Sequence, residues 1–318
     1  MTPTSPKSQQ LESTPIPQQT LKRPCAFEGV GLHSGKRTWL RCEPAPANHG
    51  IVFCRGDLPG RPKIPACREA VVGTELATSL GSHQDPSVRV STVEHLMAAL
   101  FALRITNALI IVEGPEVPIL DGSAKLFAES FLAAGLRQQD FTARRLRVQK
   151  SIKIFQHGAI AELLPRQRLR LTTTIDFPHP AIGLQTFAID ITPTTFLNAI
   201  APARTFGFLK DVEALRAKRL AQGASLENVL AFSRDGVINP EGVRFVDECV
   251  RHKMLDALGD LSLFGAWIEG EMVSFRGGHH IHAALLGAVD ASPDHWTMEE
   301  ARPAPLSPAV VAGWSLTV

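Results

Sequence analysis

From Leu96 to Leu103 every side chain is apolar (Leu-Met-Ala-Ala-Leu-Phe-Ala-Leu), a pattern that suits a helix covered on most of its sides. Ser91-Thr92-Val93-Glu94-His95 leads into this run and predicts a helix start just after Ser91. The run from Val250 to Leu261 has two faces instead. Met254, Leu255, Leu258 and Leu261 make an apolar one, while His252, Asp256 and Asp260, spaced four apart, share the other. Two further helices are expected, at Lys125 to Ala134 with Gly135 as its stop, and at Ile281 to Leu286. Stretches rich in β-branched and apolar residues predict strands at Leu21 to Phe27, Thr38 to Glu43, Gly50 to Cys54 and Asn107 to Glu113. A second set is predicted at Leu146 to Phe155, Leu169 to Phe177 and Trp267 to Phe275.

The two halves thus repeat a similar order of elements, which suggests an internal structural duplication. The expected fold class is α+β, with two similar α/β domains. A disordered tail spans 1–20, the first domain 21–143 and the second 144–289, with an extra apolar piece at about 187–225. A Pro-rich tail covers 290–318. With 318 residues and 44% hydrophobic content, the chain can bury a core on both sides of the boundary. The net charge of +2 lacks the basic excess of a dedicated nucleic-acid binder. Five scattered cysteines with no C-x-x-C pair read as free thiols in a reducing compartment. The N-terminus has no secretory apolar stretch, and no segment is long and apolar enough to span a membrane, so a soluble cytoplasmic protein is expected.

Each motif that could carry chemistry also has a plain structural reading. Ser91 and Glu94 fit a capping box, with Ser91 as N-cap and Glu94 three residues on. Glu94 and His95 also enter a helix without a polar face, where an ionised carboxylate is costly unless a metal with a bound water compensates it. His252 and Asp256 could be a surface pair worth a few tenths of a kcal/mol, or part of a site to which Lys253 adds a cation. Arg276-Gly277-Gly278-His279-His280-Ile281-His282 is either an idle exposed loop or a place where a histidine titrates near neutral pH. Gly29-Val-Gly-Leu-His-Ser-Gly35 lacks both the Walker and the G-x-G-x-x-G spacing and reads as a turn, with His33 as a candidate pocket wall. Asp121-Gly122-Ser123 reads as a turn whose Asp bonds its own backbone.

Taken in order, GVGLHSG (29–35), STVEHLMAAL (91–100), EVPILDGSA (116–124), IDFPHPAI (175–182), ARTFGF (203–208), VRHKMLDALGDL (250–261) and GGH (277–279) resemble the zinc-dependent UDP-3-O-acyl-N-acetylglucosamine deacetylases of lipid A biosynthesis. The resemblance runs from about Leu21 to Val289. It implies two α/β domains, each a sheet with two helices, the helices sandwiched between the sheets. It implies hydrolysis of the N-acetyl group of an acylated UDP-amino sugar, releasing acetate and the free amine.

The same resemblance implies that Zn2+ is held by His95, His252 and Asp256, with water in the fourth position. H-E-x-x-H is absent, so these ligands must come from two separate helices. Glu94 is implied as general base, and Thr205, with the metal, as the group that stabilises the oxyanion. His279 is implied to stabilise that anion and protonate the leaving amine, with Asp260 orienting it and Lys253 facing phosphate or developing charge. Phe177 would offer a ring to the uracil, with Asp176 and Phe206 also in substrate binding, and Lys150 and Arg276 are candidates for the diphosphate. The piece from Phe187 to Ser225 matches the acyl-chain passage, where Phe208, Val212 and Leu215 at i, i+4, i+7 would form an apolar stripe. His282 stands where many relatives have Asn, and Cys249 where an aromatic residue is common. The expected partner is a small-molecule substrate, and the chain is expected to be a monomer.

Overall fold

In the computed structural model, which describes residues 15–304, strands form where alternate side chains turn toward a shared interior. Along Arg37–Pro44, for example, Thr38, Leu40 and Cys42 are buried while Arg37, Trp39 and Arg41 face outward. The first half contains β1 (Pro17–Leu21), β2 (Cys25–Val30), β3 (Arg37–Pro44), β4 (Ile51–Arg55), β5 (Lys63–Pro65), β6 (Val71–Gly73), β7 (Ser79–Gly81) and β8 (Arg89–Val90). It continues through α1 (Glu94–Ala102), β9 (Ala108–Glu113), α2 (Lys125–Ala134) and β10 (Leu136–Thr142).

The second half contains β11 (Arg145–Val148), β12 (Ile152–Gln156), β13 (Ala159–Leu164), β14 (Arg170–Phe177) and β15 (Gly183–Asp190). Then come α3 (Pro193–Ala199), β16 (Phe206–Phe208), α4 (Val212–Ala217), β17 (Leu230–Phe232) and α5 (Glu248–Ser262). β18 (Trp267–Glu269), β19 (Glu271–Phe275), α6 (His279–Asp290) and β20 (Trp296–Glu299) close it.

Each half builds a five-stranded sheet, ordered β2-β3-β9-β4-β5 in one and β12-β13-β19-β14-β15 in the other. The sense of pairing also repeats. β4 runs parallel to β9 as β14 does to β19, and the remaining neighbours are antiparallel. In each half one helix precedes the central strand and one follows it, α1 and α2 around β9, α5 and α6 around β19. The two halves meet where α1 packs on α5, while α2 lies on β2, α6 on β12 and β13, and α5 on β14. A single apolar cluster runs through sheet, helices and sheet, from Leu40 and Ile110 through Leu96 and Leu258 to Leu163 and Leu171.

Several sequence expectations are corrected here. The strand expected from Leu21 to Phe27 is two strands in different sheets, because Pro24 has no N–H to donate to a ladder and the chain turns there. Leu146 to Phe155 and Trp267 to Phe275 each divide as well, the latter at Gly270, where a Cβ would come 2.8 Å from Val148. The last helix is longer than Ile281 to Leu286, so His279 is its first residue. The expected tails enclose ordered strands. β1 pairs with β10, and β20 pairs with β11 and is anchored by Trp296 Nε1 donating to Val289 O at 2.7 Å. The outer parts of those tails, 1–14 and 305–318, lie outside the described residues. Phe187 belongs to β15 of the main sheet, so the extra piece begins only after Asp190.

One glycine sets how closely the halves approach. A Cβ on Gly259 of α5 would lie 2.1 Å from the carbonyl oxygen of Glu94, so α1 can seat against α5 only where no side chain intervenes. Gly259→Ala should cost about 1–3 kcal/mol of stability, the range for forced overpacking, and also lower turnover because Glu94 must shift. Gly287 in α6 has open space around its Cβ position, so Gly287→Ala should leave stability equal or slightly higher. Thermal unfolding of both variants checks the pair, and equal melting temperatures would contradict the close-approach argument.

Candidate metal centre and active site

The entry to α1 is not a capping box. Val93 occupies the N-cap position without a side-chain bond, and Glu94 is the first helical residue. Thr92, with φ of 57°, reverses the chain just before it and turns Ser91 away to accept from Ser79 Oγ at 2.9 Å. Such a φ is unusual for a β-branched residue and needs support. Thr92 Oγ1 finds it by donating to Glu116 Oε1 at 2.8 Å. The same carboxylate accepts the backbone N–H groups of His33 and Ser34 at 2.9 and 2.8 Å. The glycine turn at 29–35 therefore cradles an anion from its own chain. Glu94 itself accepts from the Thr78 N–H at 3.0 Å.

The four-residue spacing along α5 brings His252, Asp256 and Asp260 to one face, and α1 delivers His95 against it. The rings of His95 and His252 stand 4.9 Å apart at 88°. Asp256 Oδ1 lies 3.5 Å from His95 Nε2 and 3.3 Å from His252 Nε2, and one donor atom from each of the three lies within 4.8 Å of the others. All three residues are buried, and Asp256 Oδ1 has no hydrogen-bond partner. His252 Nδ1 pairs with the Ala203 carbonyl at 3.0 Å, which leaves Nε2 as the free ligand atom. Burial lowers the His252 pKa to about 4, so the ring is neutral at neutral pH, the form that binds metal. Burial alone would protonate Asp256, but the Lys253 ammonium, 2.8 Å from Oδ2, and His252 hold its carboxyl well below the usual range. Two imidazoles and an unpaired carboxylate oxygen are a donor set that fits a divalent metal ion with nitrogen and oxygen preference.

Beside this group lies a second one. Asp260 Oδ2 accepts from His279 Nδ1 and from His282 Nδ1, both at 2.8 Å, and Oδ1 accepts from Thr78 Oγ1 at 2.6 Å. His282 Nε2 also meets Ser274 Oγ at 3.2 Å, so this ring, held at both nitrogens, braces the same carboxylate. Burial opposes charge on His279, yet Asp260 and Glu94 outweigh it and raise its pKa to about 9. His279 Nε2 lies 3.7 Å from Glu94 Oε1. Burial raises the Glu94 pKa, with His279 and His95 pulling it back. Burial pushes the Cys249 thiol up to about 12, and it packs in a small apolar cluster with Phe232 and Val250 rather than among the ligands.

A cavity of about 690 Å³ opens over His252, Asp256 and His279. Lys253, Thr205, Phe177, Phe206, Phe208, Leu215 and Arg276 line it as well. The Phe177 ring packs 5.4 Å from Phe206 and 5.8 Å from Phe208. Other candidates lie elsewhere. Asp176 is exposed on β14 and does not line the cavity, and alternation along the strand turns it away from Phe177. Lys150 is exposed before β12, and the far end of that strand, Gln156, is what reaches the cavity, roughly 20 Å on by strand rise. Val212 is also not in the lining. A 3-10 turn at Leu209–Asp211 separates strand residue Phe208 from α4, so the expected i, i+4, i+7 stripe never forms one helix face.

Sequence reasoning missed Thr78, which touches both Glu94 and Asp260 and carries no pattern that marks it. It also missed Glu248. Buried Arg204 donates to Glu248 through its backbone N and Nε, both at 2.9 Å, tying the Thr205 loop to the start of α5. The turn at Asp121 is as expected, with the Ser123 backbone N–H donating to Asp121 Oδ1 at 3.2 Å. His33 sits against Ala221, whose N–H points to its Nδ1 at 3.4 Å.

Asp260→Asn removes the anion that keeps His279 protonated, so the His279 pKa should fall from about 9 toward the ordinary histidine value. A reaction that needs the imidazolium would then lose activity at lower pH. The alkaline limb of kcat/KM, near pH 9 in the wild type, should move down by a unit or more. An unmoved limb would remove His279 from the acid role.

Comparison with known proteins finds relatives over most of the chain. The model of the UDP-3-O-acyl N-acetylglycosamine deacetylase family (LpxC) matches residues 18–291. The UDP-3-O-acyl-N-acetylglucosamine deacetylase of Myxococcus xanthus is 46% identical over 285 residues, 90% of this chain and 90% of that protein. Those of Actinobacillus succinogenes and Bdellovibrio bacteriovorus are 44% and 43% identical, over 88% and 87% of this chain and 92% and 90% of theirs. With the family match extending from β1 to the end of α6, this chain belongs to the UDP-3-O-acyl N-acetylglycosamine deacetylase family.

Proposed function

We propose that the protein is a zinc-dependent amide hydrolase that removes the N-acetyl group from UDP-3-O-acyl-N-acetylglucosamine in lipid A biosynthesis. The observation that carries this reading is the convergence of His95, His252 and an unpaired Asp256 oxygen beside Glu94 and a cationic His279, beneath a cavity walled by phenylalanines. Zn2+ held by His95, His252 and Asp256 would supply the Lewis acid that acidifies a water and polarises the acetamide carbonyl.

The chain's own groups supply the rest. Glu94, fixed by the Thr78 N–H and raised in basicity by burial, takes a proton from the attacking water. As the C–O bond forms, the Thr205 hydroxyl donates to the carbonyl oxygen that becomes anionic. Its loop is held by Thr205 N donating to Gly122 O at 2.7 Å. His279, kept protonated by Asp260, stabilises that charge and then gives its proton to the departing nitrogen as the C–N bond breaks. Acetate and the free amine leave. Lys253 is engaged with Asp256, so its first task is to hold that ligand ionised. Phe177 and Phe206 suit the uracil, Arg276 the diphosphate, and Phe208 with Leu215 the acyl chain.

We read the enzyme as a monomer. The five cysteines are free and no helix among the described residues is long and apolar enough to cross a membrane, which supports a cytoplasmic setting.

Two experiments test the reading. His252→Ala should lower both zinc content and turnover, while Glu94→Gln should keep the metal and lose about a hundredfold or more in turnover. Near-normal activity of Glu94→Gln with metal bound would exclude it as the base. For the substrate, each buried methylene is worth up to about 0.8 kcal/mol, so the wild type should prefer the acylated sugar by several orders of magnitude in kcat/KM. Leu215→Glu should impair that substrate far more than UDP-N-acetylglucosamine. Equal wild-type efficiency on both sugars would leave a general sugar deacetylase in place of the lipid-precursor enzyme.

A further inference from the structure

A second cavity, of about 370 Å³, opens at the other end of α1. Its volume falls in the range of small-molecule sites. Met97, Leu100 and Phe101 of α1 line it together with Ile51, Ile105 and Trp267. Most polar side chains on its wall are already matched. Gln18 Nε2 donates to Asn48 Oδ1 at 2.7 Å, Asn107 Nδ2 donates to Gln18 Oε1 at 2.8 Å, and Arg144 pairs with Glu300 at 2.9 Å.

Arg104 stands apart from these. It is half-buried, its Nε is shut off from solvent without a hydrogen bond, and no carboxylate meets its guanidinium among the described residues. Its neighbour is the Trp267 ring, with 4.8 Å from Cζ to the centroid. The residue also holds a φ of 59°, a left-handed conformation that costs about 1 kcal/mol for a residue with a side chain. Burial lowers its pKa, the mark of a cation that lacks a counter-charge. A half-buried guanidinium without a carboxylate partner, set against apolar side chains, is a fork-shaped donor for a planar anion.

We propose that this cavity is a second ligand site, for an aliphatic carboxylate whose chain lies against Leu100, Phe101 and Trp267 and whose head is bound by Arg104. The inference does not depend on the deacetylase reading. Glu94 sits roughly 9 Å farther along the same helix by its rise, so the two sites share one rigid element.

The test uses the full chain and 12-bromododecanoate, whose bromine quenches nearby tryptophan fluorescence. Trp267 is one of four tryptophans, so a saturable quench that disappears in Trp267→Phe places the probe in this cavity. Arg104→Gln should raise the half-quenching concentration tenfold or more, while the neutral 12-bromododecanol should quench wild type and variant alike. A quench that survives Trp267→Phe would put the probe elsewhere, including the metal-side cavity, and overturn the proposal. An unchanged midpoint in Arg104→Gln would do the same. Without ligand, Arg104→Gln should melt at or above the wild-type temperature. A fall of several degrees would make the guanidinium a structural partner of Trp267 and overturn the assignment.

Discussion

Charge buried along the seam between α1 and α5 is the constraint that the rest of the molecule answers to. Glu94, His95, His252, Asp256, Asp260 and His279 are all shielded from water, where an uncompensated ionised group costs several kcal/mol. Compensation has to be local, so the helices must touch. The bare Gly259 allows that contact, and the apolar remainder of α1 and α5 fills the space around it. Lys253 on Asp256, Thr78 on Asp260 and Glu94, and Arg204 on Glu248 then close most of the remaining demands. What stays open is His95 Nδ1 and the Asp256 oxygen between two imidazoles, a group whose donor atoms could hold a cation.

The balance between burial and the nearby carboxylates sets the charge of each histidine. His252 Nδ1 faces the Ala203 carbonyl, and burial outweighs the Asp256 carboxylate 3.3 Å from its Nε2 and keeps the ring neutral. His279 faces the Asp260 carboxylate and stays charged under the same burial. The same side chain is thereby held neutral at one position and charged at the other. His282 makes the same contact with Asp260, yet burial leaves its pKa lowered, because one carboxylate shared between two rings cannot charge both.

The helices and the site were the more legible parts of the sequence. The four-residue spacing of His252, Asp256 and Asp260 is a property of any helix, and Lys125–Ala134 ends at Gly135 where its left-handed φ of 77° requires it. Strand limits were less legible. Nothing local distinguishes Trp267 to Phe275 as one strand from two in separate sheets, since the break at Gly270 follows from the distant Val148. The same holds for Thr78, which reaches the site only through the fold. Periodicity misled at Val212, where a helical stripe was read across a strand, a 3-10 turn and a short helix. At Ser91 a common local motif gave way to the Thr92–Glu116 contact, a long-range bond that no window around Ser91 contains.

The repeated strand order bears on how the molecule is assembled. In each half the central parallel pair, β4 with β9 and β14 with β19, joins segments far apart in the chain, and such non-local pairing forms slowly. His95 belongs to one half and His252 with Asp256 to the other, so neither half alone holds a complete ligand set. A metal held there would favour the docked pair over separately folded halves, and its binding energy would act as a clasp on the last step of assembly.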